Sequence, residues 1–269
     1  MMRCLVFAML TVVVSGCAPI QHNPIEQSMV RSAFAGRPGG FVLMDTWSSH
    51  VLRVDEPRCA EPLPPCSTFK VWNTMIALEL GLVSSPDEAF YIWDGQKRFL
   101  DDWNQDLTLA RAFAVSCVPA FQSLAERIGL ERMRQWLERI HYGDLDISAG
   151  MTAFWLPRPG RKTIVISADE QAKLLRRLLR DDLPFSEDKV LVLREIMRVR
   201  TTAKGELFGK TGTGRLGEGP EQVAWFVGWV ESQADGKKRV FACVVRGDGL
   251  TGLDVRAMVE RILEAGGLL

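Results

Sequence analysis

Segments that read as β-strand lie only near the two ends of this chain, and the stretch between them reads as helix. Phe41-Val42-Leu43-Met44-Asp45 and Val51-Leu52-Arg53-Val54 have the apolar, β-branched composition of two strands joined by a short turn. Strand-like runs return only at 206–212, 223–230 and 239–246. In between, Phe69, Val71, Trp72, Met75, Ile76 and Leu80 recur at helical spacing from Ser67 until Gly81 stops the pattern. Helical segments continue to about Arg200, one of them opened by a capping box, Ser167 with Glu170, ahead of Leu174, Leu175, Leu178 and Leu179. A last amphipathic helix starts at about Asp254, with Val255, Met258, Val259, Ile262 and Leu263 on its apolar side. Strands from both ends that share one sheet force the helical middle out as a lobe. The expected fold is therefore α+β: an antiparallel sheet flanked by helices, with an inserted helical lobe and a cleft between the two.

At 269 residues, 47% hydrophobic and with no net charge, the chain suffices for one globular unit. Balanced charge gives no electrostatic reason to expect nucleic acid as a partner. Beyond the N-terminus no apolar run is long enough to span a bilayer. At the N-terminus, Arg3 precedes the apolar run Cys4–Val14, the layout of a secretory signal. The following Val14-Ser15-Gly16-Cys17 resembles a bacterial lipoprotein signal, which implies removal of 1–16 and lipidation of Cys17. Residues 17–36 then form a tether and 37–269 the folded domain. With Ala18 rather than Asp after the cysteine, the expected destination is the periplasm, anchored to the outer membrane, with membrane contact only through the lipid. Four further cysteines, Cys59, Cys66, Cys117 and Cys243, follow. In an oxidising compartment either Cys59 and Cys66 close a Pro-rich loop or all four stay free and buried. None has zinc-ligand spacing, and His22, His50 and His141 are scattered, so no metal is expected.

Residues 205–214 read GELFGKTGTG, which at first resembles a phosphate-binding loop. That loop needs four residues between its first Gly and Gly-Lys-Thr, and a helix after it. Here there are three, and a Gly-rich turn and a strand follow, so Lys210 serves some other anion. Earlier, Ser67-Thr68-Phe69-Lys70 places a serine and a lysine three apart at a helix start. Residues i and i+3 share a helical face, so the amine can approach the hydroxyl, which is a poor nucleophile without an adjacent base. A second serine motif, Ser116-Cys117-Val118, precedes Pro119 at another helix start, and Lys210-Thr211-Gly212 is the third element.

These three motifs, in this order, resemble the set of serine β-lactamases and penicillin-binding proteins. Tyr142-Gly143-Asp144, Phe154-Trp155-Leu156, Trp93-Asp94-Gly95, Trp103-Asn104 and Trp225–Val230 are similar to class D, oxacillinase-type β-lactamases, over roughly 40–266. Asp144 stands where that class carries Asn, which adds a negative charge near the expected rim of the site and bears on substrate preference. The resemblance implies hydrolysis of penicillin-type β-lactams through an acyl-enzyme on Ser67, with Lys70 modified to N6-carboxylysine as general base. It implies no cofactor other than carbon dioxide or bicarbonate, and either a monomer or a homodimer. Trp155 would hold the modified Lys70, and the backbone N–H groups of Ser67 and Thr213 would form an oxyanion hole. Ser116 would relay a proton, and Lys210 would face the substrate carboxylate. Val118, Leu156, Thr211, Gly212 and Thr213 would line the substrate site, and Arg256, chosen over Arg246, would bind the carboxylate too. Two rivals are a β-lactam sensor or penicillin-binding protein that acylates without turnover, and a non-catalytic envelope lipoprotein.

Overall fold

A computed structural model describes residues 25–269, so the leader, Cys17 and the first part of the expected tether lie outside the described residues. The chain opens with α1 (Gln27–Ala33), then β1 (Gly39–Asp45), β2 (Val51–Val54) and α2 (Glu56–Ala60). A 3₁₀ turn, Cys66–Phe69, leads directly into α3 (Lys70–Glu79). A small hairpin of β3 (Ala89–Tyr91) and β4 (Leu107–Thr108) follows, then α4 (Leu109–Ala114), α5 (Val118–Ile128) and α6 (Leu130–Ile140). After α7 (Ala168–Leu179) and α8 (Glu187–Met197) come β5 (Arg198–Thr201), β6 (Gly205–Arg215), β7 (Glu221–Ser232), β8 (Lys238–Asp248) and α9 (Gly252–Ala265).

Six strands form one antiparallel sheet in the order β2-β1-β8-β7-β6-β5. The N-terminal pair joins the C-terminal strands where β1 meets β8, in register Phe41↔Cys243 and Leu43↔Phe241. Successive strand side chains point to opposite faces, so one strand feeds two cores. Val240, Ala242 and Val244 of β8, with Trp225, Val227 and Trp229 of β7, face the helical lobe. Phe241, Cys243, Val245, Phe226 and Val230 face α1 and α9. Burial on both faces explains why these strands read as continuous apolar runs.

The structure corrects several details. The segment expected as a tether belongs to the fold from residue 25 onward, because Ile25, Val30 and Phe34 are buried in the second core. The helical middle contains the β3–β4 hairpin, whose strands of three and two residues are too short to set up a period. Helix ends at Met197 rather than near Arg200, since Arg198–Thr201 is an exposed edge strand without an apolar alternation. The last helix begins at Gly252 instead of about Asp254. Thr251 and Asp254 form a reciprocal capping box, which makes Asp254 the third residue of the helix. The capping box of Ser167 and Glu170 opens α7 as the sequence predicts.

Candidate active site

Ser67 lies in the 3₁₀ turn, and α3 proper begins at Lys70. This differs from the expectation that Ser67 opens an α-helix, and it tightens the geometry. With three residues per turn, side chains at i and i+3 of a 3₁₀ segment eclipse each other. Lys70 Nζ accordingly donates to Ser67 Oγ at 2.8 Å. The turn is fastened from three sides. Pro65 O accepts from Thr68 N–H at 3.2 Å and from Thr68 Oγ1 at 2.7 Å. Trp225 Nε1, from the sheet, donates to Pro64 O at 2.9 Å. Gly212 of β6 comes so close that a Cβ there would stand 2.9 Å from Pro65 O, so only glycine lets the strand lie against the turn.

Lys70 has no exposed surface, and its Nζ lies 5.4 Å from the centre of the Phe121 ring. Burial pushes its pKa well below the ordinary lysine value, and the nearby Lys210 charge pushes in the same direction. Both causes favour the neutral amine over the ammonium.

Ser116 sits at the junction of α4 and α5 with φ 56°, a left-handed conformation rare for a residue with a side chain. The chain can thus turn the Ser116 hydroxyl towards β6, where Lys210 Nζ donates to Ser116 Oγ at 3.1 Å and to Thr211 O at 3.2 Å. Lys210 is 3% exposed and its Nζ lies 5.4 Å from the Phe113 ring centre. Burial lowers its pKa to about 7.

The two serine–lysine pairs meet at a cleft of about 870 Å³ between sheet and lobe. Ser67, Ser116, Val118, Leu156, Thr211, Gly212 and Thr213 line it. Thr213 Oγ1 accepts from Gly252 N–H at 2.8 Å and so ties the start of α9 to β6. The remaining lining includes Phe99, Leu100, Asp101 and Asp102, which sequence reasoning missed because their segment, Lys97–Asp102, has no period or motif.

The penicillin-binding protein transpeptidase domain matches residues 39–264. β-Lactamase OXA-10 of Pseudomonas aeruginosa is 34% identical over 233 residues, covering 86% of this chain and 85% of that protein. The class D β-lactamase FUS-1 (OXA-85) of Fusobacterium nucleatum subsp. polymorphum superposes with a TM-score of 0.80 at 33% identity, over 88% of this chain and 96% of that one. The chain belongs to the class D β-lactamase family. The same fold also serves reception. The C-terminal domain of the Bacillus licheniformis BlaR penicillin-receptor superposes with a TM-score of 0.82 at 27% identity, covering 89% of this chain and 95% of that domain.

Within this class D β-lactamase the other expected site residues divide into two groups. Trp155 is fully buried, stacks on Phe69 with centroids 5.6 Å apart, and its Nε1 has no hydrogen-bond partner among the described residues. Arg256 does not line the cleft. Its Nε is bonded to Glu260 Oε1 at 2.6 Å, and the side chain borders a separate cavity of about 120 Å³ shared with Lys210, Thr211 and Leu253. Arg246, the arginine passed over, is bonded to Glu221 and Glu61. Asp144 is exposed and not part of the cleft lining, contrary to its expected place at the rim. Its Oδ1 accepts from Val165 N–H at 3.0 Å and Asp146 N–H at 3.3 Å, so the carboxylate fastens a loop. Gly143 beside it needs its positive φ of 52°, and a Cβ there would stand 2.1 Å from Val165 O. Cys59, Cys66, Cys117 and Cys243 are all free and buried, which decides between the two open readings of the cysteines. Cys59 Sγ donates to Val54 O at 3.3 Å, and burial pushes the Cys66 thiol up to about 12. Among the described residues no helix is long and apolar enough to cross a membrane, and no group of three or more potential metal ligands occurs.

Proposed function

We propose that this protein hydrolyses the β-lactam ring of penicillin-type antibiotics through an acyl-enzyme on Ser67, with carboxylated Lys70 as general base. The observation that carries the reading is the 2.8 Å bond between Ser67 Oγ and a lysine with no exposed surface. An ordinary ammonium cannot take a proton, but desolvation favours the neutral amine. A neutral amine is nucleophilic towards carbon dioxide, and the unpartnered buried Nε1 of Trp155 is a donor that calls for an acceptor. When present, the carboxyl group on Lys70 supplies an oxygen base that the bare amine lacks.

Ser67 Oγ attacks the lactam carbonyl carbon while its proton leaves towards the Lys70 side chain. The C–N bond breaks, and Ser116 passes a proton to the departing nitrogen. Lys210, bonded to Ser116, keeps that hydroxyl oriented and supplies positive charge for the substrate carboxylate. The N–H groups of Ser67 and Thr213 receive the developing oxyanion, and one such donor contributes about 3 kcal/mol in related acyl transfers. Water then cleaves the ester and restores Ser67. Arg256 serves the carboxylate only after releasing Glu260, a side-chain swing that a substrate-bound structure would reveal.

Intact-protein mass spectrometry with a penicillin tests the first half: a penicilloyl adduct on the native protein, and none on Ser67→Ala. Bicarbonate tests the second: activity lost on degassing at low bicarbonate and regained on its addition. A second reading, a receptor that is acylated and does not turn over, is favoured by the similarity to the BlaR penicillin-receptor domain. It predicts one equivalent of product per protein and no steady state. For location, we propose export and lipidation at Cys17. Labelled fatty acid incorporated into the native protein but not into Cys17→Ala would support it, and equal absence in both would end it.

A further inference from the structure

The charge pattern of the cleft wall carries a further conclusion about substrate class. Among the described residues lining the cleft, the only charged ones are Asp101 and Asp102. Both sit on the 3₁₀ turn Asp101–Trp103. That turn is pinned: Trp103 Nε1 donates to Val115 O at 3.0 Å, one residue before Ser116. Next to it, Asn104 accepts from Arg98 N–H at 2.7 Å and donates to Arg98 O at 3.0 Å. The acidic pair is thus held at a fixed place relative to the second serine. Asp102 is occupied by Arg111 at 2.6 Å, with both side chains half exposed. The Asp101 carboxylate is exposed and has neither ion pair nor hydrogen bond among the described residues. Arg98, three residues before it, is paired with Asp94. The two lysines of the site are buried behind Ser67 and Ser116, on the floor of the cleft rather than on this wall.

We infer that the cleft sorts β-lactams by the charge on their acyl side chain, favouring an ammonium and disfavouring a carboxylate there, with Asp101 as the specificity-determining residue. The inference rests on the proposed reading of the cleft as a β-lactam site. A penicillin carries its invariant carboxylate on one ring and its acylamino group on the far side of the other. With the carboxylate drawn towards Lys210, the acyl side chain is left to meet the wall whose lining residues include no cation. Repulsion of the wrong charge then discriminates as much as attraction of the right one. Because Asp101 is exposed, each effect is modest, roughly two- to fivefold in kcat/KM.

Three penicillins that share a phenylacetyl side chain provide the probes. Benzylpenicillin bears hydrogen on its α carbon, ampicillin an ammonium and carbenicillin a carboxylate. The readout is the ampicillin-to-carbenicillin ratio of kcat/KM, divided by the same ratio for Asp101→Asn, so that intrinsic reactivity cancels. The native ratio should exceed that of Asp101→Asn several-fold, and Asp101→Lys should shift it further in the same direction. The native ratio should also shrink at about 0.5 M salt, where charges a few ångströms apart in water are screened. If neither substitution nor salt moves the ratio, the inference is wrong. Should the variants fail to fold, the salt series on the native protein decides alone. No turnover of any of the three would instead sink the parent reading, whereas turnover of all three with an unmoved ratio sinks only this one.

Discussion

Lys70 and Lys210 are two versions of one device, each a buried lysine bonded to a serine, and they differ in where the serine comes from. Lys70 takes its partner from three residues upstream, at 2.8 Å along one 3₁₀ turn. Lys210 takes its partner from 94 residues away, at 3.1 Å across the cleft between strand and lobe. Burial depresses both, yet Lys210 also donates to a backbone carbonyl, Thr211 O, and titrates at about 7. Lys70 has the Ser67 hydroxyl and a second cation nearby, and it is pushed well below its ordinary value. The same side chain is thereby pushed towards the neutral amine at Lys70 and left partly cationic near pH 7 at Lys210. Environment, not residue type, assigns the two roles.

Truncating each lysine gives the sharpest way to break this division. Lys70→Ala should lower penicillin turnover by about 10²–10⁴-fold, the usual worth of a positioned base, with no rescue by bicarbonate. Lys210→Ala should act mainly through KM. Equal losses in kcat for the two variants would erase the distinction.

Next in size is a stability effect with a definite sign. Folded Lys210 titrates at about 7, and the unfolded side chain near the ordinary 10.5. Between those values the unfolded chain binds more protons, so native stability rises with pH across the window. The burden of the buried charge is complete below pH 7 and gone above pH 10.5. Lys210→Met removes it, so the variant should be more stable than the native protein by on the order of a few kcal/mol at pH 7. That gap should close towards pH 10, as measured by urea midpoints. A gap independent of pH would show that Lys210 is not desolvated. The same variant removes a like charge from beside Lys70, so the acid limb of its residual activity should move to higher pH.

Trp155→Phe tests the neutral-amine side alone. It keeps the ring stacked on Phe69 while deleting the unpartnered donor. We expect turnover reduced about 10-fold and a steeper bicarbonate dependence, in line with loss of one buried charge-assisted hydrogen bond. Stability should fall by about 1 kcal/mol, since the smaller ring leaves a cavity at a fully buried position. The smallest effect belongs to Asp144→Asn, which lies outside both serine–lysine pairs. One accepting oxygen survives for Val165 and Asp146, so activity should stay within about twofold and stability within ~1 kcal/mol. A large change in substrate preference would return Asp144 to the rim of the site.

What the sequence alone determined is what depends on near neighbours and on repeating patterns. The spacing of Ser67 and Lys70, the capping box at Ser167 and the apolar periods of α3, α7 and α9 follow from helix geometry within a few residues. The α+β order followed because sheet strands at both chain ends leave one economical way to pair. Tertiary structure decided everything that requires contact between distant segments: the bond from Lys210 to Ser116, the close approach of Gly212 to the Ser67 turn, and the acid wall at Asp101. It also gave two charged side chains partners that local sequence did not point to. Arg256 faces Glu260 instead of the cleft, and Asp144 fastens a loop, because a charged side chain goes to whichever partner the packed fold brings within reach. Sequence spacing specifies which groups share a turn of helix. It carries no information on which desolvated pocket closes over them, and here that closure sets how far each lysine is pushed towards its neutral form.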